Sequence, residues 1–127
     1  MTALSKDRFK QYLERDKEFL RTLYVSESVP NTKRVLMFAN DQKLDTLIKL
    51  FHFITNGVIK IKKSDFDSFK KSQVSLLKKN FETKASVSRN LKLDRQAKMK
   101  IMQKLAPILS KLIYPLFNSA RPIPHPT

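Results

Sequence analysis

Apolar residues recur three and four positions apart along most of this chain, the spacing of helices that bury one face. Between residues 5 and 25, Phe9, Tyr12, Leu13, Leu20, Leu23 and Tyr24 keep that spacing, with Asp16 interrupting the stripe. The pattern predicts one amphipathic helix with Ser5 as its N-cap. Ser26 to Pro30 reads as a linker. Asn31 or Thr32 then opens a short helix through Ala39, with Val35, Leu36 and Phe38 available to pack. Asp41 is placed to cap the next helix. Leu44, Leu47, Ile48, Phe51 and Ile54 fill one of its faces, and Leu50 and Phe53 carry apolar surface well around it. A helix apolar on most sides sits in the middle of a bundle. Asn56-Gly57 ends it, since glycine takes the left-handed conformation at a helix C-terminus without a Cβ penalty.

Val58-Ile59-Lys60-Ile61 reads as a short extended connector. Ser64 is the expected cap of a further helix, with Asp65 and Asp67 complementing the dipole of its first turn. Phe66, Phe69, Leu76, Leu77 and Phe81 are its apolar positions, and the spacing leaves open whether one helix or two covers 64–81. Ser86 or Ser88 starts a short turn near Leu91 and Leu93. Asp94 caps a helix through Gln103 or further, which Pro107 kinks or replaces with a new one. Leu105, Ile108, Leu109, Leu112, Ile113, Leu116 and Phe117 outline a closing helix, bent or loosened near its end by Pro115. The expected fold is all-α: a compact bundle of five or six short helices forming one domain over 1–117. Residues 118–127 form a proline-rich, extended tail.

Composition agrees with that picture. Hydrophobic residues make up 41% of the 127, enough for a modest core. A single glycine argues against an all-β fold, which needs frequent turns. With no cysteine, disulfides and thiolate metal sites are excluded. The start, MTALSKDRFK, turns charged before any apolar run develops, so no secretory signal is expected. Leu105 to Phe117 is short of the roughly 17 residues that a membrane span needs, and Lys111 and two prolines interrupt it. A soluble, intracellular protein with no transmembrane segment is the expectation.

Charge changes the picture most. The chain carries a formal +15, and the charge is unevenly spread. Residues 1–57 hold 10 basic and 7 acidic residues, whereas residues 58–127 hold 16 and 4. A near-neutral half joined to a cationic half suggests a packed scaffold presenting a basic surface to a polyanion. Lysine doublets fall at Lys62-Lys63, Lys70-Lys71 and Lys78-Lys79; a period of eight turns about 80° per step, so they would not align on one continuous helix. Beyond Gly57 there are 13 Lys and 3 Arg. Lysine neutralises phosphate as a point charge, whereas reading guanine edges favours arginine. The prediction is nucleic-acid binding, to the backbone of DNA or RNA and tolerant of sequence. Lys62, Lys63, Lys70, Lys71, Lys78, Lys79, Lys92, Arg95 and Lys100 are the expected phosphate contacts. Base stacking is expected to be secondary, because Phe66, Phe69 and Phe81 have the spacing of core residues.

Catalytic chemistry finds little support. His52 lies inside the central helix and reads as structural, while His125 sits between prolines in the tail. Asp65 and Asp67 are better explained as first-turn residues than as an acid/base pair. One glycine cannot build a phosphate-binding loop. The expectation is a non-enzymatic protein without cofactor, metal or small-molecule substrate.

The segment MFANDQKLDTLIKLFHFITNGVIKIKKSDFDSFKKS, followed by LLKKNF and the later KLIYPLF, has a recognisable order of features over residues 36–117. An apolar helix ending in Asn56-Gly57 leads into a basic segment and a closing apolar helix. This resembles small basic proteins of Maverick/Polinton-type mobile elements and the related adintoviruses. The resemblance implies a virus-like source, a role in genome packaging or a virion core, and a place in the nucleus or virion. A competing reading is a structural adaptor that docks on an acidic capsid or assembly protein, anchored by the Leu105–Phe117 stripe and the proline-rich tail. A third is a peripheral membrane binder using basic helix faces.

Overall fold

The computed structural model describes residues 6–26 and 28–120. Among these the fold is all-α, with nine helices and no strand: α1 (Lys6–Arg15), α2 (Lys17–Val25), α3 (Val29–Met37), α4 (Asp41–Thr55), α5 (Lys63–Asp67), α6 (Lys71–Phe81), α7 (Lys84–Leu91), α8 (Arg95–Lys104) and α9 (Leu109–Ala120). One 3-10 turn, Ala106–Ile108, joins α8 to α9. Ser5 and most of the proline-rich tail, including His125, lie outside the described residues.

There are more helices than the five or six expected because the longer ones are broken. The helix expected over 5–25 stops at Asp16, whose backbone (φ −120°, ψ 32°) leaves the helical region. The break delivers a buried carboxylate to the flank of α4. Asp16 accepts hydrogen bonds from the Thr46 hydroxyl and from Gln42 Nε2 at 3.3 Å. Arg15 closes the group, its Nη2 donating to Thr46 Oγ1 at 2.6 Å and its Nε lying 3.5 Å from Asp16. A buried carboxylate needs such partners. The stretch 64–81 is likewise two helices, separated at Ser68–Lys70.

Four helices start on a side chain that accepts the backbone N–H three residues on: Ser28 from Asn31, Asn40 from Lys43, Thr83 from Ser86 and Asp94 from Ala97. Asp94 is where the sequence placed it. Four starts differ. α3 begins before Asn31, because Pro30 is tolerated in a first turn where its missing N–H has no partner to lose. Asn40 takes the cap from Asp41, which becomes the first helical residue. Thr83 caps α7 ahead of Ser86 and Ser88. Ser64 caps nothing; α5 starts after Lys62.

α4 is the centre of the molecule. Nine of its residues are buried, among them Leu44, Leu47, Leu50, Phe51 and Phe53. It packs on α1, α6, α7, α8 and α9. Phe53 meets Phe9 of α1 at 5.9 Å between ring centroids, and Phe51 meets Phe81 of α6 edge-on at 5.4 Å. The helix ends as its sequence implies: Asn56 is the C-cap and Gly57 takes φ +75°. Gly57 N–H donates to Ile54 O at 3.1 Å and Val58 N–H to Phe53 O at 3.0 Å, a Schellman turn. α9 runs through Pro115 and buries Leu112, Ile113, Pro115 and Leu116.

Candidate nucleic-acid interface

Eight of the nine expected phosphate contacts are exposed: Lys62, Lys63, Lys70, Lys71, Lys78, Lys79, Lys92 and Lys100. None of the eight forms an ion pair with another described residue. Their placement follows from the helix breaks. Lys62 and Lys63 open α5, Lys70 and Lys71 open α6, and Lys78 and Lys79 occupy the last turn of α6. On α6, Lys71 and Lys78 stand seven residues apart, which returns to within about 20° of the same direction. With Ser72, Ser75 and Lys79 they make up the exposed face of that helix; Leu77, Asn80 and Phe81 are buried. Lys92 caps the C-terminus of α7, and Lys100 stands with Gln96 and Lys104 on the exposed side of α8.

Cations at the start of α6 run against the helix dipole, which favours anions there by about 0.3–1 kcal/mol. No acidic residue occupies the first turn of α6 or of α7.

Arg95 is the exception among the nine. Its Nη1 donates to the carbonyls of Met37 at 3.1 Å and Ala39 at 3.0 Å. It thereby satisfies carbonyls at the C-terminal end of α3, which a helix leaves without intrahelical partners. Lys98, in the same cationic stretch, is removed from the surface altogether. It is 1% exposed, with Nζ 2.9 Å from Asp41 Oδ1 and 2.6 Å from Asp45 Oδ1. Burial pulls the pKa of this ammonium down, but hydrogen bonds and charge from Asp45 and Asp41 outweigh it. The net direction is upward from 10.5.

The aromatic residues divide. Phe81 and Phe69 are core, but Phe66 is 43% exposed, contrary to the core role expected from its spacing. The reason is the shortness of α5, which buries none of its five residues. Sequence reading also passed over Lys60. Alternation in Ile59-Lys60-Ile61-Lys62 was the signal available: the isoleucines turn inward and the lysines outward.

His52 has a structural task. Its Nδ1 lies 2.7 Å from the Phe81 carbonyl, so that nitrogen carries the proton and donates. Thr55 Oγ1 donates to the same carbonyl at 2.8 Å, and Asn56 Nδ2 to Glu82 O at 2.9 Å. Three side chains of the α4 terminus thus satisfy the carbonyl end of α6. Among the described residues no cluster of His, Asp and Glu could hold a metal, and no helix is long and apolar enough to cross a membrane. Six apolar residues of the stripe proposed as an adaptor anchor (Leu105, Ile108, Leu109, Leu112, Ile113 and Leu116) are buried in the core. In comparison with known proteins, no family model matches this chain, and neither a curated protein nor a solved structure matches it.

Proposed function

We propose that this protein binds nucleic acid, most simply DNA, through phosphate contacts from its lysine-rich surface and with little dependence on base sequence. One observation carries the reading: eight exposed lysines beyond Gly57 lack ion-pair partners among the described residues. A folded domain gains no stability from such self-repulsion, and a polyanion relieves it. Lysine on helix faces engages phosphate without reading base edges. A narrower form of the proposal, a role in genome packaging or a virion core, follows from the order of features over residues 36–117, read as a resemblance to Maverick/Polinton and adintovirus proteins.

Electrophoretic mobility shifts with duplex DNA across a salt series test the proposal. With roughly six phosphates engaged, affinity falls about a thousandfold or more between 50 and 200 mM salt. Replacing Lys62, Lys63, Lys70 and Lys71 with alanine lowers the slope of log affinity against log salt by about 0.9 per lost contact. Arg95→Ala leaves that slope unchanged and lowers the melting temperature, since its guanidinium is held by α3. A flat salt titration overturns the proposal.

A further inference from the structure

Phe66 stands where the cationic surface becomes apolar. Its ring borders two hollows. One, of about 320 Å³, has walls of Ile54, Ile59, Ile61, Val74 and Leu77, and the exposed Lys60 and Lys78 line it as well. The other, of about 390 Å³, includes Lys71, Ser75 and one anion, Asp67. Behind Phe66 the buried ring of Phe69 lies 5.9 Å away at a tilt of 51°, which props the exposed ring against the body of the protein. The doublets Lys62-Lys63 and Lys70-Lys71 flank this ring in the chain.

An isolated exposed apolar residue needs no explanation. Here, however, an aromatic ring, an apolar hollow and cations from two segments, Lys60 of the connector and Lys71 and Lys78 of α6, come together. That is the combination used for single strands: a π-face on which a base stacks, beside charges that hold the flanking phosphates. A hollow of about 320 Å³ is at the small end of ligand sites and suits one planar ring. The bases of an intact duplex are already stacked and cannot enter it. Resting on the backbone-binding proposal above, we infer that Phe66 and its 320 Å³ hollow form a stacking site for one unpaired nucleobase. Lys60 and Lys78 hold the adjacent phosphates. The protein therefore grips single strands, or the frayed ends and bubbles of duplexes, more tightly than charge alone provides.

The experiment compares wild type with Phe66→Leu, which keeps apolar bulk and loses the π-face. The probes are a dT oligonucleotide, a duplex of equal charge and heparin, a polyanion without bases. The expected result is binding to oligo(dT) weakened about tenfold. Duplex and heparin affinities stay unchanged, and so does the salt slope for the oligonucleotide. Equal affinity of both proteins for oligo(dT) overturns the inference and leaves backbone binding standing. If wild type binds none of the nucleic acids, both proposals fall. A second variant, Phe66→Trp, supplies the sole tryptophan of the chain. Its fluorescence is expected to be quenched by oligo(dT) and not by heparin; absence of quenching overturns the inference even where the leucine variant does not fold.

Discussion

Lys98 and Lys100 are two residues apart on one helix and have opposite duties. Lys100 faces solvent, whereas Lys98 is buried between Asp41 and Asp45 of α4. Nothing in the local sequence separates them, because the difference lies in what α8 meets. The carboxylates that recruit Lys98 are more than fifty residues away, and Asp41 is free to reach it only because Asn40 does the capping. Lys98 is 1% exposed, but Asp41 and Asp45 are 59% and 27% exposed, so water reaches the carboxylates that its removal would free. Lys98→Met is expected to cost about 1–2 kcal/mol at neutral pH by denaturant unfolding, the loss of hydrogen bonds to charged groups whose carboxylates stay partly hydrated. Because the folded-state pKa of Lys98 is raised, its ion pairs contribute fully below the unfolded value and are lost as pH climbs through the folded one. The stability difference between wild type and Lys98→Met should therefore hold up to about pH 10 and shrink above it. A difference that instead vanishes on acidification within the neutral range would contradict this assignment.

At the level of elements, the breaks decide more than the helices do. Asp16 interrupts the apolar stripe between Phe9 and Tyr24, but that local signal did not show that the helix breaks there, because the partners of its carboxylate, Thr46 and Gln42, lie on α4. Local signals read correctly where the chain satisfies itself. Asp94 caps α8 through its own third residue, and Asn56-Gly57 closes α4 with two short-range hydrogen bonds. The second case gives a clean expectation. A Cβ built on Gly57 meets nothing within 4 Å, so substitution there brings backbone strain without a clash. Gly57→Ala should cost about 1–2 kcal/mol, the penalty of a left-handed L-residue, and Gly57→Asn distinctly less. Thermal unfolding of the two variants measures it. Equal losses would mean that the turn is held by something other than its dihedral angle. The same logic explains the aromatic residues: periodicity showed which ones could pack, but the five-residue length of α5 left Phe66 outside.

Across the whole molecule, the all-α class and the central place of α4 were legible because both depend on composition and on how far apolar surface extends around one helix. The exposure of eight lysines was legible for the same reason. Which cations the fold keeps for itself was not, since Arg95 and Lys98 are claimed by α3 and α4 across long sequence separations. The charge boundary at Gly57 is likewise invisible to the packing. α4 belongs to the near-neutral half, yet it makes contacts with α6, α7, α8 and α9 of the basic half. His52, Thr55 and Asn56 even complete the carbonyl end of α6 from the other side of that boundary. The cationic half is therefore not a portable module. Cut after Gly57, residues 58–127 lose the apolar helix against which their own helices fold. Each fragment alone should lack the helical circular dichroism of the intact chain, and mixing the two should restore part of it. Appended to another protein, the basic fragment would behave as a sticky polycation; its chemistry as a defined surface exists only while the first half is present to shape it.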